Sequence, residues 1–280
     1  MSIVFLNGEY VPADKAKVSV DDRGYLFADG VYEVVRVYEG RPFRMDAHLE
    51  RLAHGLDDLR IELPSIDELD EICERLLDEN GLRTGDAKVY MQVTRGCAPR
   101  AHAFPKDCEP AVYIAASTLT PHPSKYFSEG VGAITLTDTR WARCDIKSIS
   151  LLPNVLANQR AKDEGAFEAL FVRDGMVLEG SHSNLWAVFD DTLVTYPACN
   201  YILSGITRDE VFDIAEAGDI AAGEGLIPEE RLLEADELFL SGTTTEIMPI
   251  VRVDGVDVAN GKVGPMTKRL QDLYRERTRG

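Results

Sequence analysis

Three short stretches hold side chains whose types and spacing can do chemistry. In RGCAPRAHAFP, residues 95–105, Arg100 offers a planar fork that grips a carboxylate with two parallel hydrogen bonds, and His102 adds a second donor. Residues i and i+2 of an extended segment point the same way, so this spacing aims both side chains into one pocket as an anion trap. In CDIKSISLLPNVLANQ, residues 144–159, a single lysine, Lys147, stands between a run reading as strand and one reading as helix. A lysine amine can form a Schiff base with a carbonyl and can carry a proton. In LEGSHSNLW, residues 178–186, Glu179 sits in a patch of Gly and Ser that keeps backbone and hydroxyls accessible. Taken singly, each has a plain alternative: a solvated loop lysine, an ion-paired strand-end glutamate, an exposed Arg-x-His pair.

The elements that must position these groups are legible along the chain. Asn7-Gly8 between two apolar runs is a hairpin signal, and GVYEVVRVYEGRPFRM alternates from Val31 to Tyr38 before a Gly40–Pro42 turn and a short return strand. Asp46 is a fitting N-cap for a helix striped by Leu49, Leu52, Leu56 and Leu59. Ser65 with Glu68 makes a capping box for a second helix, with Leu69, Ile72, Leu76 and Leu77 inward and Asn80-Gly81 at its end. Strands follow over 88–94 and 111–118. The segment TLTPHPSKYFSEG, with its prolines and small polar residues, marks a domain boundary. We therefore expect an N-terminal domain over 1–119, a linker over 120–130 and a C-terminal domain over 131–280. Beyond the linker, strands are expected over 131–137 and 169–172, a hairpin at Asp174-Gly175, and helices from near Thr207, from Pro228 and over about 265–277. Strands mixed with helices in two halves give an α+β class.

Composition narrows the function. The chain has 280 residues, 45% hydrophobic and 28% charged, as expected of a soluble globular protein of one large or two ordinary domains. No apolar run of about 18 residues exists to span a membrane, and the N-terminus lacks the pattern of a signal peptide, so a cytoplasmic location is expected. A net charge of -18 repels nucleic acid and acidic membrane surfaces. Five cysteines without CxxC or metal-type spacing argue against disulfides and zinc.

The order of segments adds more. SVDDRGYLFADGVYEVVRVYEGRPFRMDAHLERL, RGCAPRAHAFP, DIKSISLLPNVLANQRAKDEGAFEALFV, LEGSHSNLW, GITRDEV and SGTTTEIMPI together resemble the D-amino acid aminotransferases, members of the branched-chain-aminotransferase-like fold type IV pyridoxal phosphate enzymes. The resemblance covers the chain from Val4 to about Pro249. It implies a smaller N-terminal α/β domain, a larger C-terminal pseudo-barrel domain, and transfer of the amino group of a D-amino acid such as D-alanine to a 2-oxo acid such as 2-oxoglutarate.

The resemblance also implies roles. Lys147 would form the Schiff base with pyridoxal 5'-phosphate and, once displaced by substrate, move the α-proton as a neutral amine. Glu179 would favour the protonated ring nitrogen. Gly205-Ile206-Thr207 at a helix start, with Thr243 and Arg51, would hold the phosphate, and Leu203 would pack against the ring. Arg100, His102 and Tyr32 would trap the α-carboxylate, with Arg100 and His102 reaching into the neighbouring subunit of a homodimer with composite sites. Two departures affect side-chain preference: Gly242 stands where relatives often carry serine, and His182 stands among the small hydroxyl residues of the EGSxSN motif. Rival readings keep Lys147 and change the substrate or reaction: a branched-chain L-amino acid aminotransferase, an R-selective amine transaminase, or a 4-amino-4-deoxychorismate lyase. A non-enzymatic binding protein would not need Lys147 and Glu179.

Overall fold

The computed structural model describes residues 2–64 and 66–279. Ser65, expected to cap the second helix, lies outside the described residues. The chain forms two compact units, Met1–Pro121 with Ile146–Ser150, and His122–Asp145 with Leu151–Gly280.

The first unit is built on a six-stranded antiparallel sheet in the order Glu9–Pro12, Ile3–Leu6, Ala111–Thr118, Asp86–Thr94, Gly30–Tyr38, Arg41–Pro42. Asn7 and Gly8 take positive φ of 49° and 91° and close the first hairpin, as the two-residue turn requires. In Asp86–Thr94 the alternation is strict, with Ala87, Val89, Met91 and Val93 buried. They face Leu52 and Leu56 of helix Met45–Leu59 and Leu69, Cys73, Leu76 and Leu77 of helix Leu69–Glu79, forming one core. Each fully buried aliphatic side chain there contributes about 1.5–3 kcal/mol. Asp46 does not cap the first of these helices: Arg44, in the left-handed region at φ 56°, is the N-cap, and Asp46 lies in the first turn, where its charge still suits the dipole.

Residues 146–150, expected in the C-terminal domain, cluster with the first unit because they line the edge that Arg41–Pro42 leaves open along Gly30–Tyr38. Tyr32 N donates to Lys147 O at 3.0 Å, Ile149 N donates to Gly30 O at 3.1 Å, and Val31 and Ser148 form an antiparallel bridge. Strand pleat then sorts the side chains: Ile146 enters the core, and Lys147 shares the opposite face with Tyr32.

The second unit carries a ten-stranded sheet in the order Ala222–Glu224, Thr192–Thr195, Asn184–Phe189, Glu237–Gly242, Glu246–Val253, Val131–Thr137, Glu168–Arg173, Met176–Gly180, Ile227–Pro228, with Val256–Asp257 beside Glu246–Val253. Asn184 also pairs with Glu179, so Met176–Gly180 meets Asn184–Phe189 and the sheet closes on itself as a barrel. The interior is aliphatic, with Leu170, Val177, Leu185, Leu238, Leu240, Met248 and Ile250. Helix Leu152–Asp163 packs Ala157 and Ala161 on Ile134, Ala169 and Phe171. The stretch expected as a linker holds helix Ser124–Glu129, and the helix expected from Pro228 is a 3₁₀ segment, Glu229–Glu234. Helix Pro265–Arg279 closes the chain, with Leu270 and Tyr274 buried.

Candidate active site

In the first unit, Lys147, Tyr32 and Arg51 come from three different elements. Lys147 Nζ lies 4.4 Å from the centre of the Tyr32 ring, a consequence of their positions opposite each other across the open edge. Tyr32 in turn stacks on Tyr90 at 5.9 Å, and Tyr90 meets Tyr113 at 6.2 Å, so one face of the sheet carries a row of phenols. Burial, with Tyr32 and Tyr113 alongside, pushes the Tyr90 hydroxyl up to about 12.

Arg51 is held by a residue on the other face of the same strand. Glu33, wholly buried between Val31 and Val35, accepts from Arg51 Nε at 2.7 Å and Nη2 at 2.9 Å and pairs with His48 Nδ1 at 2.7 Å. Burial opposes its charge, but Arg51 and His48 outweigh that cost and hold the carboxyl at about 2. Burial, with Arg51 and Lys147 adding repulsion, lowers His48 below its ordinary range despite Glu33. A neutral His48 therefore donates from Nδ1 to the carboxylate.

Arg100 and His102 are exposed on the loop after Asp86–Thr94, in bends rather than the expected extended chain. Both nevertheless face one ring: the Arg100 guanidinium is 5.1 Å from the centre of Phe27, and the His102 ring is 5.7 Å from it. The loop is propped from beneath. Arg23, buried, donates to Ala101 O at 2.6 Å and to His102 O at 3.4 Å, and Asp29 ties Arg23 Nε at 2.7 Å to Arg95 Nε at 2.8 Å. Although burial opposes its charge, the bonds from Arg95 and Arg23 hold Asp29 below the usual carboxylate range.

In the second unit, Glu179, Leu203 and the Gly205–Thr207 turn are gathered by Asn184. Its Nδ2 donates to Glu179 Oε2 at 3.1 Å and to Leu203 O at 2.8 Å, while Leu203 N donates to Glu179 Oε2 at 3.1 Å. A Cβ on Gly205 would come within 2.1 Å of Asn184 Oδ1, so this turn requires glycine. Helix Ile206–Ala217 starts there with Ile206 and Thr207 buried and no side chain capping it. The other Glu179 oxygen pairs with Arg140, which Asp138 holds at 3.0 Å. Burial pushes the Glu179 carboxyl up to about 7, with Arg140 and the Leu203 N–H pulling the other way. Thr243 lies in the turn after Glu237–Gly242, whose Ser241 pairs with Asn184.

The two departures have structural outcomes. His182 Nδ1 lies 2.9 Å from Glu168 Oε2 and 3.2 Å from the Ser181 hydroxyl; Glu168, buried, also accepts from the Ser181 and Ser183 hydroxyls. Gly242 has room: a Cβ there would meet Thr245 Cβ and Oγ1 at 3.5 Å, ordinary contact.

Sequence reasoning passed over Glu33, His48, Asn184, Arg140 and the Arg23–Asp29–Arg95 prop. The signal for Glu33 was available: a glutamate in phase with Val31, Val35 and Val37 on a core-facing row has to be paired. Arg140 carried no such signal, because its partner lies 39 residues away.

Comparison with known proteins shows the family of the chain. The amino-transferase class IV family matches residues 30–253. Two D-alanine aminotransferases are similar over almost the whole chain. That of Staphylococcus aureus (strain COL) is 43% identical over 276 residues, 98% of this chain and 97% of its own. That of Listeria monocytogenes serotype 1/2a (strain 10403S) is 44% identical over 276 residues, 98% of this chain and 95% of its own. Among solved structures, the Escherichia coli branched-chain amino acid aminotransferase is 30% identical at a TM-score of 0.88, covering 97% of this chain and 92% of that one. The T.th. branched-chain amino acid aminotransferase with pyridoxamine 5'-phosphate is 28% identical at a TM-score of 0.89, covering 98% and 93%. With the family matched over most of the chain and such relatives alike from end to end, the chain belongs to the class IV aminotransferases.

Proposed function

We propose that this aminotransferase takes the amino group of a D-amino acid, D-alanine among them, and delivers it to a 2-oxo acid such as 2-oxoglutarate. The observation that carries the substrate class is the placement of Arg100 and His102 beside one Phe27 ring on a propped loop, two carboxylate donors gathered at one exposed place. The identity of 43–44% to D-alanine aminotransferases supports it. No helix among the described residues is long and apolar enough to cross a membrane; we propose a cytoplasmic homodimer whose Arg100 and His102 serve the neighbouring subunit's site.

The cofactor is pyridoxal 5'-phosphate, and the chain's own groups fit it. Thr245 Oγ1 is buried without a hydrogen-bond partner among the described residues, beside the turn that carries Thr243. The uncapped start of helix Ile206–Ala217 leaves backbone N–H groups for an anion. In this reading Arg51, Ile206, Thr207 and Thr243 hold the phosphate, Leu203 packs on the ring and Glu179 faces its nitrogen. When bound, the cofactor supplies the electron sink that makes the substrate Cα–H acidic.

The remaining work belongs to side chains. Lys147 Nζ, steadied over the Tyr32 ring, moves the proton of the substrate Cα. Glu33 and His48 fix Arg51 so that its charge stays where an anion is to be held. Glu179, accepting from Arg140, Asn184 and the Leu203 N–H, is held as the carboxylate that favours a protonated ring nitrogen. Arg140 and Asn184 orient that carboxyl.

The likeness to branched-chain aminotransferase structures favours a second reading, an L-amino acid substrate. A half-reaction separates the two: the cofactor-loaded protein is mixed with D-alanine or with L-alanine, and conversion of the cofactor to its aminated form is followed by absorbance. Conversion by the D-enantiomer alone is expected, and conversion by L-alanine alone would overturn the proposal.

A further inference from the structure

The loop that carries Arg100 and His102 has a cysteine at each end of its base. Strands Asp86–Thr94 and Ala111–Thr118 pair antiparallel, with Ala87 opposite Thr118 and Thr94 opposite Ala111. The ladder ends at that pair, and beyond it Cys97 bridges Asp22, but the segment returning from the loop still passes beside Gly96 and Cys97. A Cβ on Gly96 would lie 1.9 Å from Glu109 O and 3.3 Å from Cys108 Sγ, so the two chains are still side by side at Gly96. Gly96 itself, at φ 92°, takes a conformation that favours glycine.

A disulfide joins residues whose Cα atoms lie about 4.4–6.8 Å apart, and the Cys108 sulfur already touches the Cys97 backbone. The sulfurs are accessible and already near: Cys97 is exposed, Cys108 is partly exposed, and Cys108 Sγ lies 2.9 Å from Arg95 O and 3.4 Å from Cys97 O. Burial, with Cys97 close by, raises the Cys108 thiol, which suits it to react second.

We infer that Cys97 and Cys108 form a reversible disulfide that closes the base of the loop 98–107. The oxidant is a low-molecular-weight disulfide of the glutathione type. The Cys97 thiolate attacks one sulfur of the oxidant, releasing one thiolate and leaving a mixed disulfide. The Cys108 thiolate then attacks the Cys97 sulfur and releases the second. Two thiol protons and two electrons leave the protein, and one oxidant disulfide becomes two thiols. Cys73 and Cys144 are buried, which leaves them poorly placed to compete.

The test uses the full-length, cofactor-loaded protein, equilibrated with oxidised glutathione and then alkylated. We expect loss of the mass of two hydrogens, a peptide linked between Cys97 and Cys108, slowed amide exchange across 98–107, and reversal by dithiothreitol. Cys97→Ser and Cys108→Ser should each abolish the linked peptide while folding normally. Absence of that peptide, a glutathione adduct on Cys97 that Cys108 never displaces, or the same two-hydrogen loss in Cys97→Ser overturns the inference. The consequence for substrate rests on the trap proposed above: a pre-ordered loop should lower KM for D-alanine severalfold on oxidation, with no shift in Cys97→Ser. A linked peptide without any change in KM leaves the disulfide standing and removes Arg100 and His102 from substrate binding.

Discussion

Lys147 illustrates how little a single residue type says before its neighbours are known. Its side-chain direction follows from one hydrogen bond, Tyr32 N to Lys147 O, because opposite positions across a strand edge share a face. The amine is therefore held over an aromatic ring instead of trailing in a loop. Lys147→Ala should fold, since Ile146 and the backbone bonds on either side stay in place, but should lose the visible band of the lysine-bound cofactor and all half-reaction with D-alanine. Wild-type turnover by this variant would sink the assignment. Arg100→Ala makes a different demand. Removing a charge-assisted, two-point contact from a carboxylate costs about 1.5–3 kcal/mol, so KM for D-alanine and for the 2-oxo acid should rise roughly tenfold or more. Cofactor affinity should hold, and turnover of an R-amine without a carboxylate should be unchanged; an equal loss on that amine would remove Arg100 from carboxylate recognition.

Between residue and molecule stand the strand Gly30–Tyr38 and the helix Met45–Leu59, coupled by a buried charge cluster. Glu33 sits in the core-facing row of the strand and meets His48 and Arg51, which project from one face of the helix. Leaving Arg51 and His48 without this carboxylate strands a buried charge, so Glu33→Gln should destabilise the protein by about 3–5 kcal/mol at pH 7. The sign with pH follows from the carboxyl itself. It is held at about 2, below its ordinary value of 4.5, so its stabilising effect is complete above about 4.5 and is lost as pH falls toward 2. That part of acid unfolding amounts to about 3 kcal/mol and should be missing from Glu33→Gln, read by urea titrations at about pH 2.5 and about pH 6. Equal stability of variant and wild type at the higher pH would show that the cluster holds nothing together.

At the same scale lies the boundary of what the sequence could reveal. The first sheet, its hairpins and both long helices were readable because local turn chemistry and apolar period agree at Asn7-Gly8, along Val31–Tyr38 and in the leucine stripes. Asp46 misled as a cap because Arg44 takes a left-handed conformation and starts the helix earlier. The second unit was readable from periodicity as strands, whereas its barrel was reached only through the family resemblance, since closure rests on one pairing, Asn184 with Glu179, that no periodicity encodes. Partners distant in sequence were likewise hidden: Glu179 was marked by its Gly and Ser neighbours, whereas Arg140 became visible only as the cation beside it.

At the scale of the whole molecule, the proposed homodimer makes a prediction that no single-chain argument can. If Lys147 acts with Arg100 of the partner subunit, each active site needs a sound lysine from one chain and a sound arginine from the other. Lys147→Ala and Arg100→Ala homodimers should both be impaired at low D-alanine, the first for want of the amine and the second for want of the trap. Unfolding and reassembling an equal mixture gives heterodimers in about half of the population by random pairing. In each heterodimer one site combines the intact Lys147 of one chain with the intact Arg100 of the other, and the second site lacks both. The mixture should therefore recover about a quarter of wild-type turnover at low D-alanine, with the KM of the recovered sites back at the wild-type value. Recovery depends on chain exchange, so simply mixing the folded variants without unfolding should restore little at first. If Lys147 and Arg100 of the same chain served one site, every site would keep one defect however the chains pair, and reassembly would restore nothing. Recovered turnover with a wild-type KM thus distinguishes a shared site from two independent ones, and it does so without relying on how tightly the dimer holds together.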